Sequence, residues 1–94
     1  MDIHYVDLAP QAKKDLRGMP DHIIDKLESW MRAVERDGLR EVRKIPGYHD
    51  EPLKGGRIGQ RSIRLNRAYR AIYVVKKGKE IEFLWVEEVN KHEY

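Results

Sequence analysis

Apolar residues between positions 20 and 38 recur at intervals of three and four, which is the period of an α-helix. Asp21 near the start suits the positive end of the helix dipole, and Gly38 suits the end of the helix. The pattern therefore predicts an amphipathic helix that begins near Asp21 and stops at Gly38. Its apolar face consists of Ile23, Leu27, Trp30, Met31 and Val34, with charged residues in between.

Two shorter elements are predicted ahead of this helix. Residues 4–8 contain β-branched and aromatic side chains and indicate a strand. Pro10 suits the first turn of a helix, and apolar residues at helical spacing predict that this helix covers residues 10–19. Gly18 and Pro20 interrupt the pattern, so the two helices form a hairpin joined by a tight turn.

The second half of the chain is predicted to form a sheet. Residues 45–59 are rich in glycine and proline and predict a loop, long for a small domain and therefore a candidate functional segment. Strands are predicted at residues 62–65, 69–75 and 81–89, with a hairpin turn at 76–79. Trp30, Phe83 and Trp85 are expected in the core.

The resulting order is β-α-α-β-β-β. It predicts an α+β fold in which a helical hairpin packs on one face of a small antiparallel sheet. A length of 94 residues suits a single domain covering residues 1–94.

Composition narrows the classes of protein that remain. The chain has no cysteine, which excludes disulfides and thiolate metal sites. A secreted domain of this size usually carries disulfides, so their absence favours a cytoplasmic protein. The polar N-terminal residues do not resemble a signal peptide, and the apolar runs are too short for a membrane span.

Charge is distributed unevenly along the chain. Residues 52–79, the basic segment, hold nine Lys or Arg and no Asp or Glu, whereas residues 80–94 carry a net charge of −4. A solubility surface normally mixes signs, so the basic segment predicts a surface that binds a polyanion. RNA is the favoured ligand, although DNA or an acidic protein would fit the charge equally well.

Arginines within the basic segment suit phosphate binding, because the planar guanidinium binds two oxygens at once. Arg64 alternates with the apolar Ile63 and Leu65, so it is expected on the open face of the sheet. Arg70 on the next strand is expected to join it there. Lys54 adds a point charge nearby.

Candidates for acid–base chemistry flank the basic segment. Glu51 is the last acid before it and is a candidate base, although a salt bridge to Lys54 or Arg57 explains it nearly as well. His92 and Tyr94 follow it, and Tyr94 suits either base stacking or cover for the core edge. His49, Asp50 and Glu51 are adjacent, and neighbours in a loop rarely bind one metal ion, so no metal site is expected.

These features together resemble the RelE/ParE superfamily of bacterial type II toxins. The similar segments are Leu8 to Leu16, Glu51-Pro52-Leu53-Lys54-Gly55, Arg61 to Leu65, Tyr69 to Tyr73 and the ending His92-Glu93-Tyr94, in this order over essentially the whole chain. Within the superfamily the YoeB-like and HigB-like branches are the most similar. The resemblance implies a RelE-like fold and an mRNA interferase that enters the ribosomal A site and leaves a 2′,3′-cyclic phosphate without a cofactor.

The resemblance also implies partners and site residues. The expected partner besides ribosome-bound mRNA is a cognate antitoxin, in a heteromeric complex. Glu51 corresponds to the general base, Arg70 to the arginine that stabilises the transition state, and His92 and Tyr94 to the terminal pair. The expected RNA-binding residues are Lys54, Arg57, Arg61, Arg64 and Arg67.

One departure from the family pattern affects the general acid. YoeB-like chains end with His and Tyr adjacent, whereas Glu93 separates them here, so the acid is either His92 or Tyr94. Two other functions remain open. One is a ParE-like inhibitor of gyrase, and the other is a non-catalytic module that binds RNA or the ribosome.

Overall fold

Five strands, three α-helices and two single-turn 3₁₀ helices form across residues 2–91, the part of the chain that the computed structural model describes. No helix in this part has the length and apolar character needed to cross a membrane. The predicted order is confirmed, with two short additions, α3 and β2. The elements are β1 (Val6–Leu8), α1 (Pro10–Leu16), α2 (Asp21–Asp37), α3 (Leu39–Val42), β2 (Glu51–Pro52), β3 (Arg61–Arg64), β4 (Tyr69–Lys77) and β5 (Glu82–Lys91).

The strands of this described part form one sheet in the order β1-β5-β4-β3-β2. The predicted α+β class is confirmed, but the sheet is mixed and not purely antiparallel, because β1 runs parallel to β5 with Val6 opposite Leu84. The other pairs are antiparallel. The parallel pair joins strands that are almost 80 residues apart in sequence. The pattern of residues within one strand does not indicate which distant strand it pairs with.

The helices lie close to where the pattern predicts them. In α2 the buried residues include Ile23, Leu27 and Trp30. The helix α1 ends at Leu16, three residues before the predicted end, since Gly18 adopts a φ of 76° that does not continue a helix. Gly38 follows α2 with a φ of 86°.

The core lies between the helices and one face of the sheet, here named the inner face. Trp30 of α2 contacts Tyr73 of β4 with ring centroids 5.3 Å apart. Ile63 of β3 and Leu84 of β5 are fully buried in the same cluster. The helical hairpin therefore covers the inner face and leaves the outer face of the sheet free of helices among the described residues.

Two aromatic residues expected in the core lie on the outer face instead. Phe83 and Trp85 are half-buried, and their rings meet edge to face at 6.3 Å. The Lys76 ammonium lies 4.9 Å from the centre of the Trp85 ring. The core prediction was wrong for these two residues because Leu84 and Val86 point inward, and strand alternation then turns their neighbours outward.

A β-bulge in β5 changes which residues face outward. Ile72 pairs with Glu88, whereas the next residue, Tyr73, pairs with Val86, so Glu87 is the extra residue. A bulge of this kind shifts the alternation by one position. Consequently Glu88 and Asn90 point to the outer face.

Candidate active site

Two arginines face each other on the outer face of the sheet. Arg64 of β3 and Arg70 of β4 are register partners. Side chains directly opposite on antiparallel strands have Cβ atoms about 5 Å apart, and like charges in such pairs are unfavourable. The pairing that the sequence predicts is therefore present, and it concentrates positive charge at one point of the sheet.

Arg70 is oriented by a series of hydrogen bonds that runs along β5. Its Nε donates to Oδ1 of Asn90 at 3.2 Å, and Nδ2 of Asn90 donates to Oε1 of Glu88 at 2.9 Å. The same Glu88 oxygen accepts a hydrogen bond from Nη2 of Arg57 at 2.8 Å. Arg57 and Arg70 are thereby held at the two ends of one network, with Asn90 placed beside Arg70 by the bulge.

The arginine pair lies in a shallow cleft. Glu51 of β2 and Tyr69 of β4 line it as well, and so does Arg67 from the turn between β3 and β4. The cleft thus brings a carboxylate together with the three arginines Arg64, Arg67 and Arg70. A negatively charged ligand in the cleft would find both cations and a proton acceptor.

The segment that carries Glu51 into the cleft is fixed by its neighbour Asp50. The Asp50 side chain is 1% exposed and accepts a hydrogen bond from Nε of Arg61 at 2.7 Å. It accepts a second from the hydroxyl of Tyr73 at 2.6 Å. Because Asp50 points into the protein, its neighbours His49 and Glu51 are left at the surface.

Arg61 does not join the other arginines. It is the register partner of Tyr73 and therefore points to the inner face, where Asp50 binds it. Burial lowers the pKa of its guanidinium, but the hydrogen bond and charge of Asp50 outweigh burial and raise that pKa above its usual value. The expected contact of Arg61 with RNA is not supported, since its charge is already used within the fold.

Glu51 has a partner that the sequence did not indicate. Oε2 of Glu51 lies 3.3 Å from Nε2 of His49, and both side chains are about half exposed. The salt bridge to Lys54 or Arg57 considered from the sequence is not formed. His49 itself adopts a left-handed backbone conformation, with φ of 45° and ψ of 51°, which is uncommon for a residue other than glycine.

The remaining predicted residues are distributed around this cleft. Lys54 is exposed and immediately precedes a 3₁₀ turn, Gly55–Arg57, but it does not line the cleft. The predicted residues His92 and Tyr94 lie outside the described residues.

Sequence reasoning missed three contributors, His49, Glu88 and Asn90. A signal for the last two was present, since the apolar spacing in β5 changes from two, between Leu84 and Val86, to three, between Val86 and Val89. Such a change marks a bulge. No comparable local signal identifies His49, because its place in the cleft depends on the long-range hydrogen bonds of Asp50.

The fold is similar to those of several solved toxin structures. The YoeB/ParE toxin from Agrobacterium tumefaciens is 20% identical with a TM-score of 0.68, and the match covers 95% of this chain and 99% of that chain. YafQ from E. coli strain BL21(DE3) is 19% identical with a TM-score of 0.72, covering 93% of this chain and 91% of that chain. In the E. coli DinJ–YafQ toxin–antitoxin complex, a chain is 22% identical with a TM-score of 0.68, covering 96% of this chain and 94% of that chain.

No protein-family model matches the chain, and no curated protein sequence matches it either. The likeness is therefore one of fold. At that level it confirms the RelE-like fold that the sequence resemblance implies.

Proposed function

We propose that this chain is the toxin of a type II toxin–antitoxin pair, and that it acts in the cytoplasm as an endoribonuclease on ribosome-bound mRNA. The observation that carries the proposal is the pair of arginines, Arg64 opposite Arg70, in a cleft that also contains Glu51. Opposed like charges cost stability, and an anion between them removes that cost. A phosphate group of RNA is the anion that the fold resemblance suggests.

The proposed reaction uses the chain's own side chains and no metal ion. Glu51 accepts the proton of the ribose 2′-hydroxyl, and the 2′-oxygen attacks the adjacent phosphorus. Arg70, with Arg64 opposite, stabilises the charge that develops on the phosphate oxygens. The bond to the 5′-oxygen then breaks, leaving a cyclic phosphate, and we assign the proton for the departing oxygen to His92 or Tyr94.

Binding of the RNA backbone around this point falls to the other cations. Arg67 lines the cleft, whereas Lys54 and Arg57 belong to the Gly-rich loop and lie outside its lining. Arg57 is paired with Glu88, so RNA would have to compete with that carboxylate for its guanidinium. Lys54 is accordingly expected to contribute more to backbone binding than Arg57.

The proposed partner is an antitoxin that silences the cleft. Solved complexes such as DinJ–YafQ from E. coli support a protein partner for chains with this fold. An acidic segment laid across Arg64 and Arg70 would complement their charge and compete with RNA. High salt is then expected to weaken that part of the complex more than any apolar contact.

The proposal is tested by expressing the chain in bacteria and mapping cut transcripts by primer extension. Wild type is expected to arrest growth and cut mRNA, whereas Arg70→Ala abolishes both and still folds, as circular dichroism would verify. Arg17→Ala is the matched control, since Arg17 follows α1 in the helical layer and lies outside the cleft. Growth arrest with filamentation and DNA damage but intact transcripts would favour a gyrase inhibitor, and arrest without either would favour a non-catalytic ribosome-binding module.

A further inference from the structure

We propose that His49 and Glu51 form a coupled proton-accepting pair, and that protonation of His49 switches the pair off below neutral pH. The inference rests on the proposed nuclease function and adds a residue and a mode of regulation to it. It starts from one distance, the 3.3 Å between Nε2 of His49 and Oε2 of Glu51.

The two side chains are placed together by the structure around them. Asp50, between them in sequence, is turned inward and held by Arg61 and Tyr73. The left-handed backbone of His49 then turns the chain so that both neighbours of Asp50 line the same cleft. A left-handed conformation costs a residue with a Cβ about 1 kcal/mol or more, and such strain concentrates at functional sites.

The ring has a nitrogen available for chemistry. Nε2 lies against Glu51, whereas Nδ1 makes no hydrogen bond with any other residue in the part of the chain described. A carboxylate beside one ring nitrogen stabilises the imidazolium that forms when the other nitrogen takes a proton. The pair can therefore accept the 2′-hydroxyl proton either at Glu51 directly or at His49, with the resulting charge shared between them.

The charged surroundings of His49 determine the direction of the switch. Glu51 favours a positive charge on the ring, and the three arginines of the cleft disfavour it. Histidine changes charge between pH 5 and 8, whereas a carboxylate without such a partner titrates near pH 4. Once the ring is protonated, the pair has lost one acceptor, and the imidazolium makes the remaining carboxylate a weaker base. The groups that line the cleft with His49 are Glu51 of β2, Arg64 of β3, Arg67 of the following turn, and Tyr69 and Arg70 of β4.

The variant His49→Asn distinguishes the contribution of the imidazole ring from that of the backbone conformation. Asparagine tolerates the left-handed region better than other residues with a side chain, so the loop keeps its course while the titrating ring is lost. His22→Asn is the matched control, because His22 is exposed on α2, remote from the cleft. Glu51→Gln completes the set by removing the carboxylate.

The decisive measurement is the single-turnover rate of mRNA cleavage on ribosomes as a function of pH. We expect the wild-type rate and that of His22→Asn to fall about tenfold between about pH 7.5 and about pH 5.5, because protonation of the ring removes one acceptor and makes Glu51 a weaker base. His49→Asn is expected to lose this dependence and to vary less than about twofold over the same range. Equal pH profiles for wild type and His49→Asn would overturn the inference.

A readout without RNA separates this inference from the proposed function. In a double-mutant cycle on the free energy of unfolding, His49→Asn and Glu51→Gln together are expected to cost less than the sum of their separate losses, since each variant removes the same contact. Additive losses would show that the two groups are not coupled, whatever the protein does to RNA. If wild type cut no RNA at any pH while the coupling was present, the proposed function would fail and the pairing would stand.

Discussion

The hydroxyl of Tyr73 donates a hydrogen bond to the carboxylate of Asp50 at 2.6 Å, and this contact lies beneath the proposed active site. Arg61 donates to the other carboxylate oxygen. The three side chains tie the segment that carries His49 and Glu51 to the inner face of β3 and β4. The position of the proposed proton acceptors therefore depends on a hydrogen-bond network that RNA would not contact.

Removing the Asp50 carboxylate, which accepts both hydrogen bonds, should lower the stability of the fold more than removing the Tyr73 hydroxyl, which donates one of them. Asp50→Ala leaves a partly buried guanidinium and a buried hydroxyl without their acceptor, and we expect it to lower the free energy of unfolding by about 3–5 kcal/mol. Tyr73→Phe loses one hydrogen bond to a charged acceptor, which costs about 2 kcal/mol. Urea denaturation of the two variants measures both effects, and an Asp50→Ala loss no larger than that of Tyr73→Phe would contradict this role for Asp50.

The same network predicts how stability changes in alkali. Burial, and then the hydrogen bond to Asp50, raise the pKa of the Tyr73 hydroxyl above its ordinary value of 10.0. A group whose pKa is raised by folding stabilises the protein below its unfolded pKa, and this contribution is lost as pH rises. The stability advantage of wild type over Tyr73→Phe should therefore be constant up to about pH 10 and shrink above it. Tyr5→Phe serves as control, because Tyr5 is 56% exposed, and its difference from wild type should show no comparable loss.

Asn90 is expected to act through Arg70. Asn90→Ala removes the acceptor that orients the Arg70 guanidinium, so the rate of RNA cleavage should fall by about tenfold with little loss of stability. A double-mutant cycle with Arg70→Lys provides the check, since Asn90→Ala should have little further effect once the guanidinium that Asn90 orients is gone. Additive losses in the double variant would mean that Asn90 acts independently of Arg70.

Arg64 should contribute to RNA binding in a way that depends on salt. Each neutralised phosphate of single-stranded RNA adds about −0.7 to the slope of log K against log salt concentration. Arg64→Ala is expected to reduce the slope by about one such increment, and Arg17→Ala should leave it unchanged. Fluorescence anisotropy with a short single-stranded RNA between about 50 and 200 mM salt measures the slope. Identical slopes for wild type and Arg64→Ala would remove Arg64 from the binding surface.

The backbone conformation of the glycine between α2 and α3 leads to a prediction about stability that does not involve the proposed activity. Gly38 has φ of 86° and ψ of 153°, a combination that only glycine adopts readily, and a Cβ there would collide with the carboxylate of Asp2. Gly38→Ala should therefore cost about 2–3 kcal/mol. Gly47→Ala is the control, because Gly47 has ordinary φ and open space around it. The two melting temperatures give the comparison, and similar values would show that the strain at Gly38 is absorbed elsewhere.

The elements that depend on local pattern were predictable from the sequence. The face of α2 formed by Ile23, Leu27 and Trp30 follows from helical spacing, and the outward position of Arg64 follows from its alternation with Ile63 and Leu65. The same alternation also predicts that Trp85 points outward. Trp85 was nevertheless assigned to the core because it is a large aromatic residue, and that assignment was wrong. Local periodicity is thus a better guide to the faces of this sheet than residue type.

The features that depend on distant segments were not predictable. The inward position of Arg61 is decided by Asp50, eleven residues away, and the parallel pairing of β1 with β5 is decided by how the whole chain closes. The outward position of Arg64 was therefore predictable from the sequence, whereas the inward position of Arg61 was not. His49 enters only once the hydrogen bonds of Asp50 are known.

The place of β5 in the sheet has a consequence for the timing of synthesis. Among the strands of the described residues, β5 leaves the ribosome after the other four, yet it lies between β1 and β4 and supplies Asn90 to the arginine pair. Until β5 emerges, β1 has no neighbour in the sheet and Arg70 lacks its acceptor. Contacts between segments this far apart in sequence also form slowly. The proposed cleavage activity is accordingly expected to arise only once β5 has left the ribosome and joined the sheet.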